Sequence, residues 1–217
     1  MPHLHEHQAL TMRDLQPYAP DLVFTATLVQ SRLAEELTND QWKVIHFDPR
    51  SVDDVLEVMR TLGLLLDVTD RGRAIAETLR RDLRAVEKKA SLLPRKQRVY
   101  VEEWHNPPMV SGNWVPDIVR CAGGVPFPLP AGSSSRAVTL EEIAAFDPDL
   151  IVLSICGAGS FADVTLLTGR PGWSDLRAVR NKAVKVIDDS LLNRPGPRLA
   201  DGARRIFTWL FERAHGA

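Results

Sequence analysis

Short apolar runs alternate with helix-like segments along the chain. The runs near residues 22–26, 43–47, 98–101, 150–155 and 183–187 have the length and composition of buried strands. The segments between them mix polar and apolar residues as amphipathic helices do, and proline or Gly-Gly marks several of their ends. Strands that alternate with helices predict parallel βαβ units with right-handed crossovers, so the pattern predicts an α/β fold.

An internal repeat relates the two halves of the chain. The segment that starts at Thr11 aligns without gaps on the one that starts at Thr139. In both copies a Pro-Asp-Leu break, at 20–22 and at 148–150, separates a short amphipathic helix from an apolar strand. Thr139 and Glu142 also have the spacing of a capping box. Pro-Asp-Leu before a strand can arise by chance in α/β proteins, but the gapless match favours two related lobes.

Two helices are predicted between the halves. Ser51 is placed to cap the first, which extends to about Leu66, and Thr69 to cap the second, which extends to about Ser91. The second helix would be about 33 Å long, enough to join two lobes as a stiff spine. Its many charged residues also fit an ordinary surface helix. We predict a partial N-terminal lobe at 1–66, a connecting helix at 67–93 and a C-terminal lobe at 94–217.

The second half contains one unit more than the first. A strand at 98–101 and a helix at 114–122 precede its copy of the repeat. An equivalent unit in the first half would need roughly 40 residues before Thr11. The chain has ten there. We therefore expect two Rossmann-like lobes with parallel sheets, the first one incomplete, either because it is reduced or because the sequence belongs to a longer one.

Composition and charge narrow the class of protein. Of 217 residues, 44% are hydrophobic and 25% are charged, which excludes disordered and collagen-like classes. The 27 basic and 28 acidic residues give a net charge of −1, so no strong field attracts nucleic acid or an anionic membrane. No apolar run reaches the roughly 20 residues of a membrane span, and no secretory signal is visible. We expect no nucleic-acid partner and no membrane insertion, and as written the chain would remain cytoplasmic.

The loops that follow the predicted strands carry the candidate chemistry, because ligands of open α/β sheets bind beyond the carboxyl ends of the strands. The loop at 102–114 contains two tryptophans, two prolines and a methionine, which would form a stiff apolar surface against a flat ligand. Asn113 would add a polar group to that surface. The alternative is that Trp104 and Trp114 pack beneath the loop.

Three further loops follow in the second half. The Gly-rich loop at 154–161, with Cys156, Gly157 and Phe161, could offer free N–H groups to an anion or an amide oxygen, although it matches no nucleotide-binding motif. The loops at 170–173 and 193–198 add a tryptophan and three arginines. Those arginines are equally compatible with solvated surface.

Catalytic and metal signatures are weak. Glu102 and Glu103 are adjacent, so along a strand they point to opposite faces and cannot act as a facing acid/base pair. No nucleophile elbow is present, and Cys156 has no identifiable base. His3, His5 and His7 would share one side of an extended backbone and could bind a metal, but a terminal tail of this kind is more often unstructured. We expect no catalytic residue and no metal.

Four pieces of the sequence, taken together, resemble a known family. The stretch VYVEEWHNPPMVSGNWVPDIVRCAGG and the later pieces PDLIVLSICG, RPGW and NRPGPRLADG are similar to the cobalamin-type substrate-binding proteins of ABC transporters. These belong to the periplasmic binding protein superfamily with a helical backbone, which also binds iron-siderophores and haem. The resemblance covers about residues 11–211. It implies two α/β lobes joined by one long helix, with a corrinoid in the cleft between them.

The resemblance also implies a set of ligand-binding residues, drawn from the loop at 102–114, the CG turn and the NRPGPRL segment. They are Trp104, Pro108, Met109, Asn113, Trp114, Cys156, Gly157, Asn193, Arg194 and Arg198. Phe161 of the Gly-rich loop completes the candidate ligand-binding set. The corrinoid would be transported cargo rather than a cofactor. An ABC permease with its ATPase would be the partner, and the location would be periplasmic or extracytoplasmic. The alternatives are an iron-siderophore or haem ligand, a truncated paralogue without a transport role, and an α/β enzyme that uses Cys156.

Overall fold

The computed structural model describes residues 11–216, so the histidines at positions 3, 5 and 7 lie outside it. The chain divides into two compact units, residues 1–49 and residues 50–217. The helix at 52–65 packs closely against the long helix at 69–90, and both fall in the larger unit. The organisation into lobes at 1–66 and 94–217 around a connecting helix stays a prediction.

The smaller unit is built around one parallel strand pair. Its elements are α1 (Met12–Leu15), a 3-10 helix (Gln16–Tyr18), β1 (Val23–Ala26), a 3-10 helix (Leu28–Gln30), α2 (Ser31–Asn39) and β2 (Val44–Phe47). Val23 of β1 lies opposite Val44 of β2 in parallel register. The crossover helix α2 packs on both strands and buries Leu37 and Ala34. This is the strand, helix and strand order that the sequence predicts.

The larger unit is a sheet of six strands with helices on both faces. Its helices are α3 (Val52–Leu65), α4 (Thr69–Ala90), α5 (Val115–Cys121), α6 (Leu140–Phe146), α7 (Thr165–Thr168), α8 (Arg177–Arg180) and α9 (Leu199–His215). Its strands are β3 (Gln97–His105), β4 (Pro108–Val110), β5 (Gly124–Pro126), β6 (Arg136–Ala137), β7 (Leu150–Leu153) and β8 (Val184–Val186). The strand order is β6-β4-β3-β7-β8, with β5 also paired to β3. The strands β3, β5, β7 and β8 are parallel, which confirms the predicted α/β class with a parallel sheet and a long helix.

Side-chain alternation along the strands creates one core on each face of the sheet. Val99 and Val101 of β3 join a core formed with α3, α4, α5 and α9. Tyr100 lies on the opposite face, in a core formed with β4, α6, α7 and α8. Because successive strand residues point to opposite faces, a run that is apolar throughout, such as β7, contributes to both cores.

The long helix α4 is joined to α3 by a tight turn. Ser51 caps α3 as predicted, since its hydroxyl oxygen accepts the N–H of Asp54 at 3.1 Å. The predicted cap at Thr69 is wrong: Thr69 is already the first residue of α4, and Val68 stands before it without a side-chain cap. The two helices pass so closely that a Cβ placed on Gly63 would lie 2.8 Å from the Cα of Gly72. Only glycine permits that approach.

The repeat is confirmed at the level of single hydrogen bonds. Ala19 and Asp147, which occupy aligned positions, both have left-handed φ angles, 40° and 48°. Each donates its N–H to the carbonyl three residues earlier, at 3.1 Å in both copies. The Thr139 and Glu142 capping box is also present. The two Pro-Asp-Leu breaks therefore follow turns with the same backbone conformation and the same hydrogen bond.

The Asp of the second break is anchored by basic residues. Asp149 is nearly buried at the start of β7, where it accepts the backbone N–H of Arg98 at 2.8 Å and the guanidinium of Arg177 at 3.0 Å. Burial acts to raise the pKa of Asp149, but the bond from Arg98 and the charge of Arg177 outweigh it and hold the pKa below its usual range. The carboxylate thus joins β7 to β3 and α8.

Candidate functional site

The strands β3, β7 and β8 run in parallel and end at the same edge of the sheet, here called the carboxyl edge. Three segments that carry predicted ligand-binding residues lie there: the end of β3 with β4, the Gly-rich loop at 154–161, and the segment 187–198 after β8. Ligands of open α/β sheets bind at this edge. Within the larger unit, it is the candidate functional site.

The predicted loop at 102–113 is in large part a β-hairpin, which corrects the sequence interpretation. Strand β3 extends to His105, and β4 returns antiparallel to it with Trp104 opposite Met109 and His105 opposite Pro108. The turn contains the cis Asn106–Pro107 peptide, and the indole of Trp104 donates to the carbonyl of Asn106 at 3.0 Å. Trp104 and Met109, which the sequence analysis placed in a loop, therefore lie on paired strands, and the pairing fixes their positions.

Asn193 ties the Gly-rich loop to the segment after β8. Its carbonyl oxygen accepts the hydroxyl of Ser154 at 2.8 Å, and its amide donates to the Ser154 carbonyl at 2.6 Å and to the Cys156 sulfur at 3.1 Å. Both amide protons are thus used within the protein. Asn193 holds the loops together, so a direct ligand contact through its amide protons is not available in this arrangement.

The N–H groups of the Gly-rich loop are not free, contrary to the sequence interpretation. The carboxylate of Asp189 accepts the N–H of Gly159 at 2.9 Å and that of Gly157 at 3.3 Å. Asp189 itself is nearly buried in the 3-10 helix Asp189–Leu191. An internal carboxylate therefore takes the place that an anionic ligand would need.

Cys156 is exposed, yet its thiol is a poor nucleophile. Burial of the sulfur within the loop raises its pKa to about 11, and the negative charges of Glu103 and Asp189 act in the same direction. A thiol with that pKa is almost entirely protonated near neutral pH. The raised pKa makes Cys156 a weaker nucleophile than an ordinary cysteine near neutral pH.

Large apolar side chains project from two of the three segments. Phe161, at the end of the Gly-rich loop, is 93% exposed, and Trp104 on the hairpin is 39% exposed. Met109 and Pro108 are half-buried beside Trp104 on the hairpin. Exposed aromatic residues at the mouth of a sheet edge are typical of surfaces that receive an apolar ligand.

Two predicted site residues have structural contacts instead. Trp114 is only 2% exposed, and its indole donates to the carbonyl of Leu192 at 2.7 Å, so it is a core residue that supports the segment after β8. Within the larger unit Trp114 therefore has almost no surface to offer a ligand, and its place in a ligand wall stays a prediction. Asn113 has a left-handed φ of 52°, and its side-chain oxygen accepts a guanidinium N–H of Arg50 at 3.2 Å.

The arginines after β8 give the edge a positive flank. Arg194 is exposed, and Arg198 donates to the hydroxyl of Ser190 at 3.0 Å. Hydrogen bonds from Ser190 hold the pKa of Asp188 below its usual range, and the charges of Arg198 and Arg194 add to that effect. These arginines are available to acceptor groups on a ligand's periphery.

The adjacent glutamates at the end of β3 have opposite environments, which sequence reasoning missed. Glu102 is fully buried, where it accepts two hydrogen bonds from Arg170, at 2.7 and 2.9 Å, and one from the hydroxyl of Tyr100 at 3.0 Å. Arg170 in turn lies over the ring of Trp173, 4.4 Å from its centroid. Glu103 is half-buried at the carboxyl edge, and its carbonyl accepts the N–H of Cys156 at 2.9 Å. Strand alternation separates the two side chains, but only the fold shows which one is neutralised.

Within residues 11–216, no group of three or more His, Cys, Asp or Glu side chains is arranged to hold a metal ion. The same part of the chain has no helix that is both long and apolar enough to cross a membrane.

The chain belongs to the periplasmic binding protein family, whose model matches residues 4–191. No curated protein sequence matches it. Family members of this kind are small-molecule binding proteins of ABC transporters rather than enzymes, so membership implies a permease as partner.

Solved structures share the fold closely. The periplasmic haem-binding protein RhuT from Roseiflexus sp. RS-1 superposes with a TM-score of 0.80 at 20% identity, over 94% of this chain and 81% of that one. The periplasmic vitamin B12 binding protein BtuF of Vibrio cholerae gives 0.75 at 19% identity, over 97% and 81%. An ABC-type Fe3+-hydroxamate transport protein from Saccharomonospora viridis DSM 43017 gives 0.76 at 25% identity, over 96% and 73%. The fold is therefore that of ABC-transporter substrate-binding proteins, with ligands of several chemical classes among its members.

Proposed function

We propose that this protein binds cobalamin or a related corrinoid at the carboxyl edge of its larger unit and delivers it to a membrane permease, without catalysing a reaction. The observation that carries the proposal is the exposure of Phe161 and Trp104 on neighbouring segments at that edge. A corrinoid has a broad apolar ring face and a fringe of amide groups. Aromatic side chains suit the first, and arginine and backbone groups suit the second.

The fixed loops support binding rather than catalysis. Asn193 and Asp189 use backbone and side-chain hydrogen bonds to hold the Gly-rich loop in place. A loop already ordered loses little conformational freedom when a ligand arrives, which favours affinity. The raised pKa of the Cys156 thiol also weakens it as a nucleophile for a covalent step.

Titration calorimetry with cyanocobalamin tests the proposal directly. We expect a dissociation constant of about 1 μM or tighter, equivalent to about 8 kcal/mol. The double variant Trp104→Ala/Phe161→Ala should lose at least about tenfold in affinity, because both truncations remove apolar contact area. Phe211→Ala is the matched control, since Phe211 is an exposed aromatic residue near the end of α9 rather than at the carboxyl edge.

Parallel titrations with haemin and with ferrioxamine B separate the alternatives. If haemin or ferrioxamine B binds and cyanocobalamin does not, the proposed ligand becomes one of that probe's class instead of a corrinoid. No heat with any of the three probes would refute the transport proposal and favour a paralogue without a transport role.

A further inference from the structure

Glu103 differs from its neighbour Glu102 in having no cationic partner. Glu102 is neutralised by Arg170 in a two-bond ion pair. Across residues 11–216, no Lys, Arg or His side chain lies within salt-bridge distance of the Glu103 carboxylate. A half-buried carboxylate without a counter-charge is costly to keep, and such groups concentrate where a protein meets a ligand.

The neighbours of Glu103 are polar but uncharged. Burial raises the pKa of Glu103, and the nearby hydroxyls of Ser135 and Ser111 act against that shift without cancelling it. The Ser111 hydroxyl is itself buried and finds no hydrogen-bond partner at bonding geometry among the described residues. The Glu103 carboxylate thus lies beside hydroxyl groups alone, with no cation to offset its burial.

The negative charge of Glu103 also affects the Gly-rich loop, which carries predicted ligand-binding residues. It acts on the exposed Cys156, whose sulfur also experiences the negative charge of Asp189 and the positive charge of Arg194. Asp189 is already occupied by two backbone N–H groups. At the carboxyl edge, Glu103 therefore places a negative charge without a cationic partner near Cys156, and Arg194 places a positive charge near it.

We propose that Glu103 is a specificity-determining residue, which accepts N–H donors from the rim of the ligand and disfavours ligands whose rim carries carboxylates. This inference rests on the proposed function and deepens it. An amide-fringed macrocycle offers N–H donors to the Glu103 carboxylate, whereas a macrocycle with carboxylate side groups would place like charges together in a partly desolvated site. Such specificity comes from repulsion of the carboxylate-bearing ligand as much as from attraction of the amide-bearing one.

The variant Glu103→Gln tests this residue because it keeps the shape and removes the charge. At mildly alkaline pH, where Glu103 is ionised, we expect cyanocobalamin to bind about tenfold more weakly and haemin to bind equally well or more tightly. Glu212→Gln is the control, since Glu212 is exposed near the end of α9. An unchanged ratio of the two affinities in Glu103→Gln would overturn the inference while leaving the proposed function intact.

A second measurement needs no ligand. Removal of the Glu103 charge should lower the pKa of the Cys156 thiol, so iodoacetamide should alkylate Cys156 several-fold faster in Glu103→Gln than in the unaltered protein. Mass spectrometry of the Cys156 peptide separates it from Cys121. An unchanged rate would show that Glu103 imposes no field at the edge and would overturn the inference. If neither probe binds the unaltered protein, the proposed function fails and the inference fails with it, whereas binding of a probe with an unchanged alkylation rate overturns the inference alone.

Discussion

Replacing Glu102 by glutamine should destabilise the larger unit severely. Glu102 is fully buried at the end of β3, and Arg170, whose side chain is 15% exposed, donates two hydrogen bonds to it. Glutamine keeps the shape of the side chain but leaves the guanidinium of Arg170 without its counter-charge. The Tyr100 hydroxyl can still donate to the glutamine oxygen, so the expected loss of stability comes from the broken ion pair.

The magnitude follows from the cost of an uncompensated buried charge. Breaking a buried pair by removing one partner costs about 3–5 kcal/mol, whereas replacing both partners by apolar residues is often nearly neutral. Glu102→Gln and Arg170→Met should therefore each cost about 3–5 kcal/mol in the free energy of unfolding. The double variant Glu102→Gln/Arg170→Met should cost much less than their sum, because it leaves no buried charge without a partner. This non-additivity is the signature of a direct pair.

Urea unfolding followed by tryptophan fluorescence measures these differences, because Trp173 lies against Arg170. With a slope of about 1–3 kcal/mol per molar urea, each single variant should lower the midpoint by about 1 M or more. The control Glu212→Gln should change the free energy of unfolding by less than about 0.5 kcal/mol. A cost below about 1 kcal/mol for Glu102→Gln, or additive effects in the double variant, would refute the reasoning.

Three further predictions concern other parts of the larger unit. Gly72→Ala should lower the free energy of unfolding by about 1–3 kcal/mol in urea titrations, since its Cβ would lie 2.8 Å from the Cα of Gly63; an unchanged midpoint would contradict the close helix approach. The folded protein holds the pKa of Asp149 below its usual range, so the ionised carboxylate stabilises the fold fully above the ordinary value of about 3.9. That stabilisation is lost as pH falls through the lower folded pKa. Asp149→Asn should therefore make the free energy of unfolding depend less on pH in acid, and an unchanged acid dependence would contradict the prediction. Cys156, with a thiol pKa of about 11, should react with iodoacetamide near neutral pH about tenfold more slowly than an ordinary thiol, because the smaller thiolate fraction is partly offset by the greater nucleophilicity of a more basic thiolate. Peptide mass spectrometry follows the reaction, and a normal rate would contradict the raised pKa.

Local signals predicted the framework of the fold. The repeat, the Ser51 cap, the Thr139 capping box and the long helix all depend on residues within a few positions of one another, where side-chain chemistry acts directly on the backbone. The cap at Thr69 failed for a tertiary reason. The contact of Gly63 with Gly72 brings α4 so close to α3 that the turn is set by packing rather than by a capping side chain.

The site was less predictable, because its decisive bonds join residues that are distant in sequence. Asp189 and Gly159 are 30 positions apart, and Glu102 and Arg170 are 68 apart. The sequence does show an aspartate after β8 and glycines after β7, but nothing local says that one accepts hydrogen bonds from the other. The hairpin around Pro107 was hidden for a similar reason, since adjacent prolines are typical of a loop and only pairing with β3 reveals β4.

On the proposed function, recognition at the carboxyl edge falls to side chains rather than to the backbone. The N–H groups of Gly157 and Gly159 are occupied by Asp189, and both amide protons of Asn193 are used within the protein. A Gly-rich loop in this state cannot cradle a phosphate without first displacing an internal carboxylate, so on the proposed function it contributes the side chain of Phe161 rather than its N–H groups. The same proposal assigns selectivity among flat ligands of similar size to the charges at the rim. Glu103 and Arg194 are the residues whose exchange should alter that selectivity while leaving the fold in place.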